Sequence, residues 1–312
     1  MSIYASLLPL RPTNVMHQLG ADSDVPLLNG RTILDGLAAS PHVIWIPYIT
    51  HPAQIRAVLR AAAHLKAVVG LGLSPRLDDL VDSRISESPA VFFDAAREAA
   101  EEIDRVCPYF LHVEEPAPRE TEGAEFNAVW EHLGRCLEAG FSSFGLDLGR
   151  CSLDNAAEIS SRLLAQVFDY ELCISIRSGA RANGTPEAGY VDDLTSLIAT
   201  LKTEGVQPDL VSLPLSGEPK EADWRLAESL APLVVPCAIG WKCPATPRGI
   251  PVNRLNKASV RVLSSSDRDN ERGQEDAERV EAMAYMEAMD VLDELQAGNS
   301  ALQLAGSVPG SQ

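Results

Sequence analysis

Short apolar runs recur along the chain, separated by longer stretches in which apolar and polar residues alternate at helical spacing. Eight runs stand out, at residues 42–49, 67–74, 109–115, 141–149, 172–178, 210–216, 234–241 and 259–264. Most are rich in Val, Ile, Leu or Phe and have the length of a strand buried on both faces. All but one are joined to the next by enough chain for a crossover helix. The pattern predicts helices over 52–65, 89–106, 125–139, 152–169, 191–204 and 221–230, and a long acidic one over 274–295. Thr50-His51-Pro52 places a cap residue before a first-turn proline, and Gly140 is a helix stop. The exception is 242–257, where Pro244, Pro247 and Pro251 leave space for little more than a turn of helix.

Eight such units predict an α/β fold, a (β/α)8 TIM barrel with a short N-terminal extension. Residues 1–41 form the extension, with short helices over 14–19 and 30–39, and are expected to pack on the barrel. Residues 42–298 form the barrel. The small, polar tail at 299–312 is expected to be disordered. In this architecture the reacting groups sit just past the C-terminal ends of the strands.

Composition narrows the function. Of 312 residues, 46% are apolar, which excludes a disordered chain, and no apolar stretch has the length of a spanning helix. The apolar patch Leu7–Leu10 lacks a basic start and a cleavage site, so no signal peptide is read. A formal charge of −18 argues against a nucleic-acid partner. It reads as a solvated acidic surface. The six cysteines form no C-x-x-C pair, which fits reduced thiols in a cytoplasmic protein rather than a disulfide or zinc scaffold. No membrane association is expected, and a homo-oligomer is left open.

Alternation within the strands locates polar groups inside the barrel mouth. In the fifth run Leu172, Ile174 and Ile176 face the helices, so Cys173, Ser175 and Arg177 face inward. The third run ends His112-Val113-Glu114-Glu115, the richest cluster in the chain. Such a trio can move a proton or hold a divalent cation, and its structural alternative is an ion-pair cluster with a neighbouring arginine. Asp147 has inward parity between small neighbours, and could serve as a base or metal ligand beside Glu114 or as an ion-pair partner of Arg177. Lys242 faces inward if Ala238 and Gly240 do, as an anion contact ahead of an imine-forming nucleophile, because nearby carboxylates keep the amine charged. Ser264 ends the last run and Ser265 and Arg268 follow it, where this architecture often binds phosphate, although serine runs are mostly plain loops. His51 reads as a cap residue, and His17, His42, His64 and His132 fall away from the mouth. No P-loop, dinucleotide fingerprint, nucleophile elbow or H-E-x-x-H motif is present.

Residues 43–74, 137–149 ("LEAGFSSFGLDLG"), 234–240 and 258–267 resemble the class II fructose-bisphosphate and tagatose-bisphosphate aldolases. That family's third strand carries His-Leu-Asp-His, with a catalytic Asp and a zinc-binding second His. This chain has His112-Val113-Glu114-Glu115 instead. The positions matching the family's other zinc histidines hold Leu215-Ser216-Gly217 and Ile239-Gly240-Trp241. The resemblance therefore implies an acid/base role for Glu114 and argues against zinc. Any metal would be a harder ion such as Mg²⁺ on Glu114, Glu115 and Asp147.

The expected activity is that of a lyase of aldolase type in carbohydrate metabolism. It would act on a small anionic oxygenated substrate, a sugar phosphate or oxo acid. Catalysis falls to Glu114, His112 and Lys242, and substrate binding to Arg177, Asp147, Arg150, Ser264, Ser265 and Arg268. The alternative is a non-catalytic aldolase-like barrel that serves as a partner or stabilising subunit, with its mouth charges tied up in ion pairs. A glycoside hydrolase would need well-separated acids, and the seventh run supplies Lys242 in place of one.

Overall fold

Runs that are apolar on both faces need a helix layer on one side and a filled interior on the other, and a closed parallel barrel supplies both. The computed structural model describes residues 4–73, 88–177, 190–265 and 276–307. Its strands are β1 (Ile44–Ile49), β2 (Val69–Leu73), β3 (Tyr109–Pro116), β4 (Ser143–Asp147), β5 (Cys173–Arg177), β6 (Leu210–Pro214), β7 (Ala238–Cys243) and β8 (Val260–Ser265). They run parallel in sequence order, and β8 pairs back onto β1 to close the barrel. The helices are α1 (Thr13–Leu19), α2 (Gly30–Leu37), α3 (Pro52–Leu65), α4 (Pro89–Glu102), α5 (Ala124–Glu138), α6 (Leu153–Phe168), α7 (Tyr190–Thr203), α8 (Glu221–Leu230), α9 (Val252–Lys257), α10 (Ala277–Glu294) and α11 (Ser300–Ser307). The chain is thus a (β/α)8 TIM barrel with an N-terminal helical extension.

Alternation sorts the strand residues into two cores. Trp45, Leu71, Leu111, Val113, Phe144, Ile174, Ile176 and Val211 lie in the layer between sheet and helices. Ile44, Ile46, Phe110, Leu210 and Val262 fill the lower barrel interior. There they meet Tyr4, Leu7, Leu28, Ile33 and Leu37 of the extension, so the extension closes the N-terminal end of the barrel. Its approach is close at Gly30, where a Cβ would stand 2.9 Å from Cys173 Cβ and 3.2 Å from Ser143 Cβ. Arg31 anchors the same helix by donating to Asp209, with Nε 2.8 Å from Oδ1, and to the carbonyl of Leu172 at 3.2 Å.

Two sequence expectations need correction. The seventh strand starts at Ala238, not at 234, because Pro236 has no N–H to give to the ladder. The segment after Gly298 is not wholly a disordered tail, since α11 forms within it. Asn299 and Ala301 donate to the carbonyls of Leu65 and Lys66, and Ser300 Oγ accepts from Val68 N at 2.8 Å. Ala301 and Leu304, one turn apart, bury against the extension. Two apolar residues on one face are too few to register as a periodic pattern, yet they suffice once a surface awaits them.

The packing at Gly30 gives a direct test. Gly30→Ala should destabilise the fold by about 1–3 kcal/mol in urea unfolding, because the new methyl meets two Cβ atoms that cannot rotate away. Unchanged stability would mean that α2 does not seat against β4 and β5 as described.

Candidate active site at the barrel mouth

Strand register brings the inward polar residues together. Tyr48 of β1 pairs with Gly72 of β2, and Gly72 with His112 of β3. Glu114 pairs with Gly145, and Gly145 with Ser175. Asp147 pairs with Arg177, Arg177 with Ser212, and Lys242 with Ser264. The glycines leave space for long neighbours. A Cβ at Gly145 would lie 3.1 Å from Glu114 Cγ and 3.2 Å from His112 Cε1.

Glu114 occupies the centre. Its Oε1 accepts from Lys242 Nζ and lies 3.4 Å from Arg177 Nε, and Arg177 Nη2 donates to Asp147 Oδ2. Glu114 and Lys242 are both buried, so this pairing forms in a low-dielectric setting where a lone charge could not persist. Burial pushes the Glu114 carboxyl up, but Lys242, Arg177 and His112 outweigh it and hold the group down at about 2. Burial pushes Asp147 up, and Arg177 and the Gly149 N–H only partly offset this. His112 Nδ1 lies 2.9 Å from Ser143 Oγ. Burial lowers the His112 pKa to about 4, Lys242 adding to the shift and Glu114 opposing it. The imidazole is therefore neutral at physiological pH.

Of the residues expected at the site, His112, Glu114, Asp147, Arg177, Lys242 and Ser264 meet at one mouth. Three others do not. Glu115 faces the helix layer, where its Oε1 lies 3.3 Å from His132 Nε2 of α5, because adjacent strand residues point to opposite faces. Ser265 likewise faces outward, and its Oγ accepts from Trp45 Nε1 at 3.1 Å. Arg150 lies beyond β4, half-exposed, 3.3 Å from Glu125 of α5. Arg268 lies outside the described residues, as do residues 74–87 and 178–189. His51 caps α3, its Nδ1 accepting from Ala53 N at 3.1 Å while Gln54 Oε1 accepts from His51 N.

Tyr48 is the site residue that the sequence reading missed. Its phenol sits inside the mouth, with Lys242 Nζ 4.4 Å from the ring centroid. Inward parity and a position at the end of β1 were the available signals, but an aromatic inside an apolar run reads as core.

The residues present do not fit the expected divalent metal. Glu115 is on the wrong face, Glu114 Oε1 already receives Lys242, and Asp147 Oδ2 already receives Arg177. Among the described residues no three His, Cys, Asp or Glu side chains are grouped to ligate an ion. A cleft of about 550 Å³ opens at the opposite end of the barrel, between Arg31, Asp35, Asp209, Val235 and Arg261. The Arg31–Asp209 pair there ties the extension to β6, a structural task.

The class that fold and site define is a (β/α)8 barrel with a charged, carboxylate-centred mouth. Among solved structures it is similar to a protein from Coccidioides immitis assigned as a fructose-1,6-biphosphate aldolase. The identity is 13%, the TM-score 0.60, and the match covers 88% of this chain and 98% of that one. It is also similar to the YdjI aldolase from Escherichia coli K12, at 9% identity and TM-score 0.60, covering 87% and 98%. At these identities the shared property is the fold. No family model matches the chain, and no curated protein does. No described helix is long and apolar enough to cross a membrane.

His112 sets a measurable pH dependence. A free histidine titrates near 6.5 and the folded one at about 4, so between these values only the unfolded chain takes up the proton. Stability should fall by about 3 kcal/mol as pH drops through this window, and this loss should be complete below about pH 4. Glu114, depressed to about 2, adds a separate loss between about pH 4.5 and 2. In urea titrations, His112→Gln should shrink the difference in stability between about pH 6.5 and 4.5. A difference as large as in the parent protein would place the titrating group elsewhere.

Proposed function

We propose that this protein is a lyase of aldolase type, acting on a small anionic carbonyl compound such as an oxo acid or sugar phosphate. The observation that carries this reading is a buried carboxylate, Glu114, held between two cations at the C-terminal mouth of the barrel. Lys242 and Arg177 are placed to receive the substrate's anionic group, with Ser264 beside Lys242 in the register. Glu114 is the group to take the proton, and Asp147 holds the far side of Arg177.

The two cations make free Glu114 a weak base, but an arriving anion changes that. As its charge engages Lys242 and Arg177, their pull on Glu114 is shared, and the added negative charge raises the affinity of the carboxylate for a proton. The base then becomes effective when substrate is bound. Neutral His112, hydrogen-bonded to Ser143, stands near it without adding a second charge. The chemistry belongs to a cytoplasmic enzyme of carbohydrate metabolism, with no step assigned to a metal.

A second reading rests on the same contacts. Two carboxylates and two cations neutralise one another, so the mouth is also self-consistent as the structural core of a non-catalytic partner subunit.

The two readings part on proton chemistry. Incubated in deuterated water with small oxo acids and sugar phosphates, the protein should exchange the proton α to the carbonyl of at least one of them. Glu114→Gln should lower that rate by about 100-fold or more with the fold intact by circular dichroism. Exchange undiminished in the variant would remove Glu114 from the chemistry. No exchange in the parent protein would leave the partner-subunit reading standing.

A further inference from the structure

Tyr48 is 4% exposed, and its hydroxyl has no hydrogen-bond partner among the described residues. A buried hydroxyl without a partner costs stability, so its persistence calls for an explanation. The phenol lies among the charges of the mouth. Lys242 Nζ stands over its ring, the His112 ring lies edge-on with centroids 6.2 Å apart, and Gly72 opposite presents no side chain. Burial, reinforced by the charge of Glu114, raises the phenol's pKa well above its ordinary value, so it keeps its proton and is a donor at any physiological pH. Arg177 Nε is also buried and unpartnered, lying 3.4 Å from Glu114 Oε1 without the alignment of a hydrogen bond.

Among the described residues, two buried donors therefore lack hydrogen-bond acceptors beside a carboxylate already engaged by Lys242. What complements them is an oxygen with free lone pairs brought by a ligand. A cation or an apolar molecule would leave both donors unsatisfied.

We propose that Tyr48 Oη–H binds the carbonyl oxygen of the substrate and holds the negative charge that this oxygen gains as an enolate forms. In that step Glu114 takes the proton from the carbon next to the carbonyl. The C–H electron pair becomes the new C=C bond, and the carbonyl π pair moves onto oxygen. Tyr48 keeps its own proton and donates a hydrogen bond to the oxyanion, with the charge of Arg177 alongside. This inference rests on the lyase reading and adds to it the residue that receives the developing charge.

Oxalate, a planar dianion shaped like the enolate of a 2-oxo acid, is the probe. By titration calorimetry the parent protein should bind it, and Tyr48→Phe should weaken binding about tenfold or more. Binding should give a near-ultraviolet tyrosine difference signal that is absent in the variant. Because the substitution deletes only an unsatisfied hydroxyl, ligand-free Tyr48→Phe should melt at or above the parent temperature. Equal oxalate affinity, failure of the parent to bind oxalate, or a variant melting several degrees lower would each overturn the assignment. Deuterium exchange separates this from the lyase reading. Tyr48-dependent oxalate binding without exchange would retain the oxyanion contact and reject the chemistry. Exchange with Tyr48-independent oxalate binding would do the reverse.

Discussion

A carboxylate inside a barrel persists as an anion only if other groups replace the water it has lost. At Glu114 that replacement is Lys242 from β7 and Arg177 from β5, with Arg177 held in turn by Asp147 from β4. The contacts span the mouth and join β3 to β4, β5 and β7. Removing either cation alone would leave a buried negative charge, and removing Glu114 would leave two positive ones, so the residues form one electrostatic unit. The glycine at 145 follows from this unit, because Glu114 needs the interior space that a Cβ there would take, and Gly72 leaves the same kind of space for the Tyr48 ring.

The unit also accounts for the titration behaviour of its neighbours. Lys242 and Arg177 together hold Glu114 at about 2, so the two cations that an arriving anion would meet are already engaged by a carboxylate. Lys242 also adds to burial in keeping His112 uncharged. The same arrangement makes the free site nearly neutral overall, so anion recognition here depends on exchanging one partner of a cation for another rather than on an unpaired cation waiting in solvent. The distinction between enzyme and partner subunit therefore rests on whether a ligand can make that exchange, not on whether charged residues are present.

The barrel was legible in the sequence because eight doubly buried strands leave eight apolar runs, and parity within each run assigned most inward residues correctly. Cys173, Ser175 and Arg177, Asp147, and Lys242 follow from alternation alone. What failed has equally physical causes. Pro236 moved the start of β7, and α11 depends on a surface made by residues hundreds of positions earlier in the chain. Arg150 lies beyond the strand, where alternation no longer constrains direction. Tyr48 is not legible because burial of an aromatic ring is usually explained by its apolar body, and only the structure shows its hydroxyl without a hydrogen-bond partner among the described residues.

Glu114 and Glu115 show most clearly how far chemistry depends on the pleat. Identical neighbours in sequence, they have opposite surroundings because a strand turns successive side chains to opposite faces. Glu114 meets two cations in the mouth, whereas Glu115 meets His132 behind the sheet, with Cys136 of the same helix 3.6 Å from that imidazole. The outward carboxylate approaches His132 Nε2 of α5 at 3.3 Å, although Glu115 Oε1 accepts no aligned hydrogen bond among the described residues. The Glu115–His132 contact sets α5 against the strand that carries Glu114, while Lys242 and Arg177 hold the end of β3 from within. A one-residue slip of β3 would put one of the two acids in the other's place and leave the second facing neither set of partners.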